Sequence, residues 1–399
     1  MPGEGYNYGQ GGEVLNEFLT GNEAVAWAAR LSRAQYMPNY PITPQTEIIE
    51  TLAQWHADGN LEADFCPMDS EHSVMSAAIG GSASGVRVFT ASSSQGIELM
   101  HEMLYIASGL RLPIVMVNCS RGLSAPITLL CDHNDYLGMR DTGWIMVNAQ
   151  NNQEALDSTI MAFKISEDKD VLLPSVVNLD GYVLSYTMEP TIVPEQGMVD
   201  KFLPPYRPTH AFFDPKRPMV QGIAVLDGVN YTHFRKQVHK AQLNAKHVIE
   251  KTCTQWHKAT GRHYGMIEKY EMDDAEMAIV TQGSVSTTAK AEVQEMRKQG
   301  MKIGLLRLRV MRPLPKEEIR NALKDMKGVA VVDKNLAPGV GGIAHSEIRD
   351  CLYDIEQQPI MSSFIMGLGG KPEEMKQFAQ IIDMLKKDMI DKMGRVRFV

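Results

Sequence analysis

From about residue 20 to residue 185, helical stretches alternate with short β-branched runs, and each run ends in Gly, Ser, Pro or Asp. That alternation is the pattern of βα units, whose strands lie parallel in one sheet with crossover helices on its faces. Residues 22–35 are helical in composition. Tyr40-Pro41-Ile42-Thr43-Pro44 is a turn that opens a second helix towards Trp55, with Thr43 as its N-cap and Pro44 at the first helical position. Further units run from Asp64-Phe-Cys66 into a helix at Glu71, from Val86-Arg-Val-Phe-Thr90 into a helix at Gln95, and from Pro113-Ile-Val-Met-Val117 into a loop at Arg121. Two more strands are expected at residues 144–148 and 175–179.

A chain of 399 residues is longer than one core usually serves. Six of its 20 prolines fall between Thr191 and Val220, too many for regular structure, so this stretch reads as an arm laid across a surface. Residues 231–257 read as one long polar helix. A second βα series begins near Ala275, with strands expected at 277–281, 303–310 and 329–332. The expected organisation is an N-terminal tail at 1–20, a main α/β domain at 21–190, the Pro-rich arm with its connecting helix at 191–270, and a smaller α/β domain at 271–399.

Composition narrows the function classes. A hydrophobic fraction of 44% with 22% charged residues is that of a soluble globular protein. Net charge is −8 with no basic stripe, which argues against nucleic acid as a partner. The cysteines Cys66, Cys119, Cys131, Cys253 and Cys351 are far apart and form no C-x-x-C pair, so a reduced cytoplasm is the expected setting and no cluster-ligand set is expected in this chain. No secretory leader and no run of eighteen apolar residues stands out, so neither export nor membrane insertion is expected.

Three residues stand where an open α/β sheet binds ligands. Glu71 follows a strand and opens a helix of small residues; it either favours the helix dipole or is carried into a desolvated place where a carboxylate can do proton work. Arg121 offers a planar fork for a carboxylate or phosphate, or else an ion pair with Asp132, Asp135 or Asp141. Thr43 caps a helix, and a capped helix start is also an anion site. Asp132-His133-Asn-Asp135, beside Cys131, has the residue types of metal ligands, but consecutive residues suit a tetrahedral site poorly. Gly339-Val-Gly341-Gly-Ile-Ala344 fits a loose dinucleotide pattern, although six residues separate it from the strand end at Val332. The His101-Glu-Met-Leu-Tyr105 stretch lacks a second zincin histidine and reads as packing.

Several motifs together are more specific than any one of them. Tyr40-Pro-Ile-Thr-Pro44, Asp69-Ser-Glu-His-Ser73, Phe89-Thr-Ala-Ser-Ser-Ser-Gln-Gly96, Ser120-Arg-Gly-Leu-Ser-Ala-Pro126, Asp132-His-Asn-Asp135 and Arg140-Asp-Thr-Gly-Trp144 occur in the order and spacing of the 2-oxoacid:ferredoxin oxidoreductases. The chain resembles their alpha subunit, most of all in the pyruvate members. The resemblance continues through Gly283-Ser, Arg312-Pro-Leu-Pro315 and Gly367-Leu-Gly-Gly370, and so covers nearly the whole chain after the first dozen residues.

The resemblance implies a thiamine-diphosphate-binding fold of the pyrimidine type over 21–190, followed by a transketolase-C-terminal-like domain over 271–399. It implies oxidative cleavage of a 2-oxoacid, or the reverse synthesis, with coenzyme A, electrons passing through iron–sulfur clusters to ferredoxin. It casts Glu71 as the acid that hydrogen-bonds the aminopyrimidine N1′, Tyr40 and Pro41 as further cofactor contacts, and Thr43 and Arg121 as holders of the substrate carboxylate. No Gly-Asp-Gly…Asn diphosphate and magnesium motif occurs here. Mg2+ and the [4Fe-4S] clusters are therefore expected in partners: a beta subunit with the diphosphate motif, a gamma subunit and a ferredoxin-like delta subunit. Glycine follows Arg121 where alanine is commoner in pyruvate members, which leaves other 2-oxoacids open, phenylglyoxylate and 2-oxoglutarate among them. A non-catalytic α/β scaffold is the alternative of another class.

Overall fold

The βα alternation closes into a seven-stranded sheet in the computed structural model, which describes residues 15–208 and 212–399. Its strands follow the order Val310–Arg312, Ile145–Asn148, Ser175–Asp180, Ile114–Ser120, Val88–Ser92, Tyr36–Asn39 and Asp64–Pro67. All neighbours are parallel except the Val310–Arg312 edge, which runs antiparallel to Ile145–Asn148. Ile114–Ser120 and Ser175–Asp180 are buried along their whole length, as expected of central parallel strands covered on both faces. On one face the helices Gly21–Leu31, Thr46–Ala57 and Asn152–Ser166 contribute to a core shared with Gly228–Thr260. On the other, Glu71–Ala83 and His101–Gly109 share a core with one face of the second sheet.

That second sheet has six strands, ordered Val396–Phe398, Ile360–Ile365, Gly328–Asp333, Met277–Thr281, Ile303–Leu308 and Ile267–Tyr270, the last antiparallel to its neighbour. Its remaining face packs on the helices Val285–Lys298 and Met375–Asp391. The strand expected over 303–310 divides: Ile303–Leu308 stays in the second sheet and Val310–Arg312 passes into the first. Arg309 marks the crossing, because its buried guanidinium bonds Glu154 of the first unit at 2.5 Å, as Arg307 does at 2.7 Å.

Two expectations at the borders need correction. Leu15–Leu19, expected within a tail, is a strand paired antiparallel with Glu189–Val193; residues 1–14 lie outside the described residues. The proline-rich stretch begins with regular structure, the strand Glu189–Val193 and the helix Gln196–Phe202, because its prolines concentrate beyond Leu203. The long helix is present as Gly228–Thr260, burying Val238, Ala241, Ala245, Val248, Ile249 and Trp256 along one side. Among the described residues, no helix is long and apolar enough to cross a membrane.

Candidate active site

Loops from four adjacent parallel strands converge at the carboxyl edge of the first sheet. Tyr36–Asn39 leads to Thr43, Asp64–Pro67 to Glu71, Val88–Ser92 to the turn at Ser94, and Ile114–Ser120 to Arg121. This edge is where open α/β sheets take ligands.

Glu71 is the first residue of its helix, with Ser70 as N-cap accepting from the Ser73 N–H at 3.2 Å. It is only 6% exposed, and its carboxylate has no hydrogen bond to any described residue. Gly96 faces it so closely that a Cβ there would lie 2.7 Å from Glu71 Oε1 and 2.5 Å from Ser92 Oγ. The Ser92 hydroxyl is likewise buried without a hydrogen-bond partner among the described residues. A buried carboxylate without hydrogen bonds is expensive unless a ligand supplies them.

Arg121 is also 6% exposed. Its Nε donates to the Thr128 carbonyl at 2.9 Å, Nη1 to the Thr43 carbonyl at 2.9 Å, and Nη2 to Gln95 Oε1 at 3.0 Å. All three acceptors are neutral. The expected alternative, an ion pair with Asp132, Asp135 or Asp141, does not form; Asp135 accepts the Arg121 backbone N–H at 3.1 Å instead. The guanidinium is thus a buried cation with no carboxylate partner among the described residues, and two of its five N–H donors remain unused.

Thr43 stands beside Arg121 but does not cap a helix. The Gln45 N–H bonds the Ile42 carbonyl at 2.9 Å, making residues 42–45 a turn, and the helix Thr46–Ala57 starts after it with Gln45 at the N-cap. The Thr43 carbonyl serves Arg121, and its hydroxyl has no partner among the described residues. Tyr40, partly buried, and Pro41, exposed, open the same turn; the Tyr40 carbonyl accepts from Gln45 Nε2 at 2.8 Å. Neither has a hydrogen bond to Glu71 or Arg121.

Sequence reasoning missed Ser94 and Gln95. Ser94 holds φ +48° and ψ −122°, a conformation costly to a residue with a Cβ. Gln95 Oε1 takes the Arg121 bond while its Nε2 donates to Ser124 Oγ at 2.8 Å. The signal available was the run of small polar residues Ser92-Ser93-Ser94 at a strand end.

The acid and histidine cluster after Cys131 separates into distinct roles. Cys131, His133 and Asp180 bring ligand-type atoms within 4.8 Å of one another. Their charge is organised by Lys334, whose ammonium lies 3.3 Å from Asp180 and 3.0 Å from Glu373, while His133 Nε2 is 2.7 Å from Asp180. Burial alone would raise the Asp180 carboxyl, but Lys334 and His133 hold it well below the usual carboxylate range. Asp135 points elsewhere, into backbone N–H groups, and burial pushes it up to about 6. At the glycine-rich stretch, Asp333 accepts the Ala344 and His345 N–H groups at 2.9 and 3.1 Å, so a carboxylate of the chain itself fills that helix start.

Residues 28–253 match the family described as pyruvate flavodoxin/ferredoxin oxidoreductase, thiamine diphosphate-binding, and residues 275–378 match the pyruvate:ferredoxin oxidoreductase core domain II. Over 358 residues the chain is 46% identical to pyruvate synthase subunit PorA of Methanothermobacter thermautotrophicus, spanning 90% of this chain and 92% of that one. Over 374 residues it is 41% identical to ketoisovalerate oxidoreductase subunit VorA of Pyrococcus abyssi, spanning 94% of each. In three dimensions it is similar to 2-oxoglutarate:ferredoxin oxidoreductase from Magnetococcus marinus, with a TM-score of 0.70 over 94% of this chain and 65% of that one. At 18% identity that likeness is one of fold.

Proposed function

Because the chain belongs to the 2-oxoacid:ferredoxin oxidoreductase family, as a subunit with the thiamine-diphosphate-binding region and core domain II, we propose that it supplies the substrate-holding and proton-holding residues for the oxidative decarboxylation of pyruvate. One observation carries the reading: two buried groups of opposite charge, Glu71 and Arg121, share one sheet edge, and neither has a charged partner within the described residues. A scaffold has no use for that pair.

Thiamine diphosphate, when bound, supplies the acidic thiazolium carbon that attacks a 2-oxoacid and takes up the electron pair left when CO2 departs. Glu71 fits the aminopyrimidine end, since its unpartnered carboxylate can share a proton with a ring nitrogen, and its low-dielectric surroundings strengthen that bond. Gly96 keeps the space before that carboxylate free of a side chain. Arg121 and the Thr43 hydroxyl hold the substrate carboxylate, the guanidinium through its unused donors. Tyr40 and Pro41 are the further contacts to the cofactor. The diphosphate and Mg2+ end falls to a beta subunit, and the [4Fe-4S] path to ferredoxin to gamma and delta subunits, in a cytoplasmic complex that also takes coenzyme A.

Pyruvate is favoured over larger substrates by the pyruvate synthase relatives and by the packing at Gly122. A Cβ there would lie 2.6 Å from Thr128 Cγ2 and 2.9 Å from Asp132 Oδ2, so the missing side chain is replaced by neighbours and opens no extra room. The test is the complex purified through this chain, assayed with coenzyme A, ferredoxin and a panel of 2-oxoacids. Pyruvate should give the highest kcat/KM. A preference for a branched or aromatic 2-oxoacid would replace the substrate and leave the roles of Glu71 and Arg121 standing, whereas turnover of none would sink the proposal.

A further inference from the structure

Asp135 is fully buried, and three backbone N–H groups donate to its two oxygens. Oδ2 accepts the backbone N–H of Ser94 at 2.9 Å and that of Arg121 at 3.1 Å, while Oδ1 accepts the Tyr136 N–H at 2.6 Å and lies 3.1 Å from the Ser120 hydroxyl, whose shorter contact is Asn178 Oδ1 at 2.6 Å. One oxygen atom therefore pins together the ends of two neighbouring strands. On one side of it, Arg121 begins the residue that aims a guanidinium at the site. On the other, Ser94 adopts its left-handed turn, which delivers Gly96 against Glu71 and Gln95 against the guanidinium. The Ser94 hydroxyl lies within hydrogen-bond distance of Gln95 Oε1, at 2.7 Å, and of the Gly122 carbonyl, at 2.9 Å, which closes the loop around the same point.

We infer that Asp135 is the positioning residue that sets Arg121 and Glu71 in register with each other, a single carboxylate keying the substrate-holding and proton-holding halves of one site. The inference rests on the roles proposed above for those two residues. Its physical basis is the donor count. Three backbone N–H groups converge on the two oxygens, so only a carboxylate, with acceptor capacity on both oxygens, satisfies all of them. A neutral amide of the same shape must turn its NH2 towards at least one backbone N–H whichever way it turns, the Tyr136 N–H on one side or the Ser94 and Arg121 N–H groups on the other, and a buried conflict of that kind is relieved by moving the backbone. The conformation at Ser94 depends on this support, because a residue with a Cβ has no local reason to hold a positive φ.

The experiment is Asp135→Asn in the assembled complex. The pyruvate KM should rise and hydrogen–deuterium exchange at C2 of bound thiamine diphosphate, which needs no turnover, should slow, each by about ten- to a hundredfold, the scale of a misplaced site. Adding Ser94→Gly lets glycine hold the turn without the carboxylate; the double variant should recover the exchange rate and keep the raised KM. If Asp135→Asn does not assemble, Asp135→Ser, whose smaller side chain leaves space for a water to take the N–H groups, carries the same expectation. A lower melting temperature with both KM and exchange unchanged would overturn the inference, and so would a raised KM with normal exchange. Arg121→Ala and Glu71→Gln run alongside: if those two are silent, the reading of the site itself fails, whereas if they act and Asp135→Asn does not, only the positioning role fails.

Discussion

Arg121 and Lys334 are both buried cations, 6% and 4% exposed, and each lies near a buried acid, yet the chain treats them oppositely. At the seam between the two sheets, Lys334 reaches Asp180 and Glu373, His133 closes on Asp180, and the Ser284 hydroxyl donates to Asp180 at 2.6 Å. Gly283, at φ +69°, lets that backbone approach, since a Cβ there would lie 2.7 Å from Asp180 Oδ1. The Gly370 N–H bonds the Cys131 carbonyl at 2.9 Å and fastens the same seam from the second unit. Every charge there is answered inside the chain. At the strand edge, Arg121 finds only neutral acceptors and Glu71 finds no hydrogen bond within the described residues. Burial is common to both regions, and what separates them is whether the desolvated charge is compensated internally. An uncompensated one is what the proposed binding role calls for.

The comparison breaks most visibly if one carboxylate and one cation are neutralised in turn. Glu71→Gln keeps the helix start and the shape but cannot share a proton in the same way. C2 exchange in the complex should slow by about a hundred- to ten-thousandfold with little change in melting temperature. Lys334→Met should do the reverse: it leaves Asp180 and Glu373 buried without their ammonium, a loss of about 3–5 kcal/mol measured by denaturant unfolding. Rate loss at 334 with full stability, or stability loss at 71 with full rate, would erase the distinction.

Arg121→Ala has an intermediate effect. It removes charge-assisted hydrogen bonds worth about 1.5–3 kcal/mol, so the pyruvate KM should rise by about ten- to a hundredfold. Thiamine diphosphate content, measured on the same purified complex, should not change. Equal loss of cofactor and of substrate affinity would mean that Arg121 supports the loop through Thr43 and Thr128 rather than the substrate.

How much of this was legible beforehand follows from which forces act locally. The central strands could be read from sequence because burial on both faces turns them into apolar runs, as in the first four residues of Ile114–Ser120. Leu15–Leu19 could not, because its partner Glu189–Val193 is distant in the chain and both are partly exposed. Thr43 was singled out on a local capping rule, whereas in the fold its carbonyl answers the Arg121 guanidinium from another strand end. Asp135 is visible in the sequence as one acid of a cluster and as one of three candidate ion-pair partners for Arg121. Its hydrogen bonds go to backbone N–H groups, which carry no mark in a sequence. Glu71 and Arg121 were legible as side chains at strand ends, but their lack of partners became visible only in three dimensions.

The smallest expected effect needs no mutation to appear. Burial pushes Asp135 up to about 6, and Asp132 beside it is raised by burial as well. Folding thus favours the neutral form of Asp135: the stability this contributes is whole below the ordinary carboxylate value and is lost as pH rises through about 6. Asp180 has the opposite sign, since its depressed value makes its contribution present above the ordinary range and lost only as pH falls below it. Lowering pH from about 7.5 to about 5.5 therefore weakens neither region's stability through these groups, but it protonates Asp135 in the folded chain. A protonated Asp135 presents a hydroxyl among the backbone N–H donors of Ser94, Arg121 and Tyr136. The ionised fraction falls by about fourfold over that interval, and the pyruvate KM should rise by about the same factor while the melting temperature holds. In Asp135→Ser the KM, already raised, should lose this part of its pH dependence. A melting temperature that drops over the same interval with KM unchanged would instead place the first group to titrate at the seam, and the contrast between a compensated and an uncompensated region would have to be redrawn.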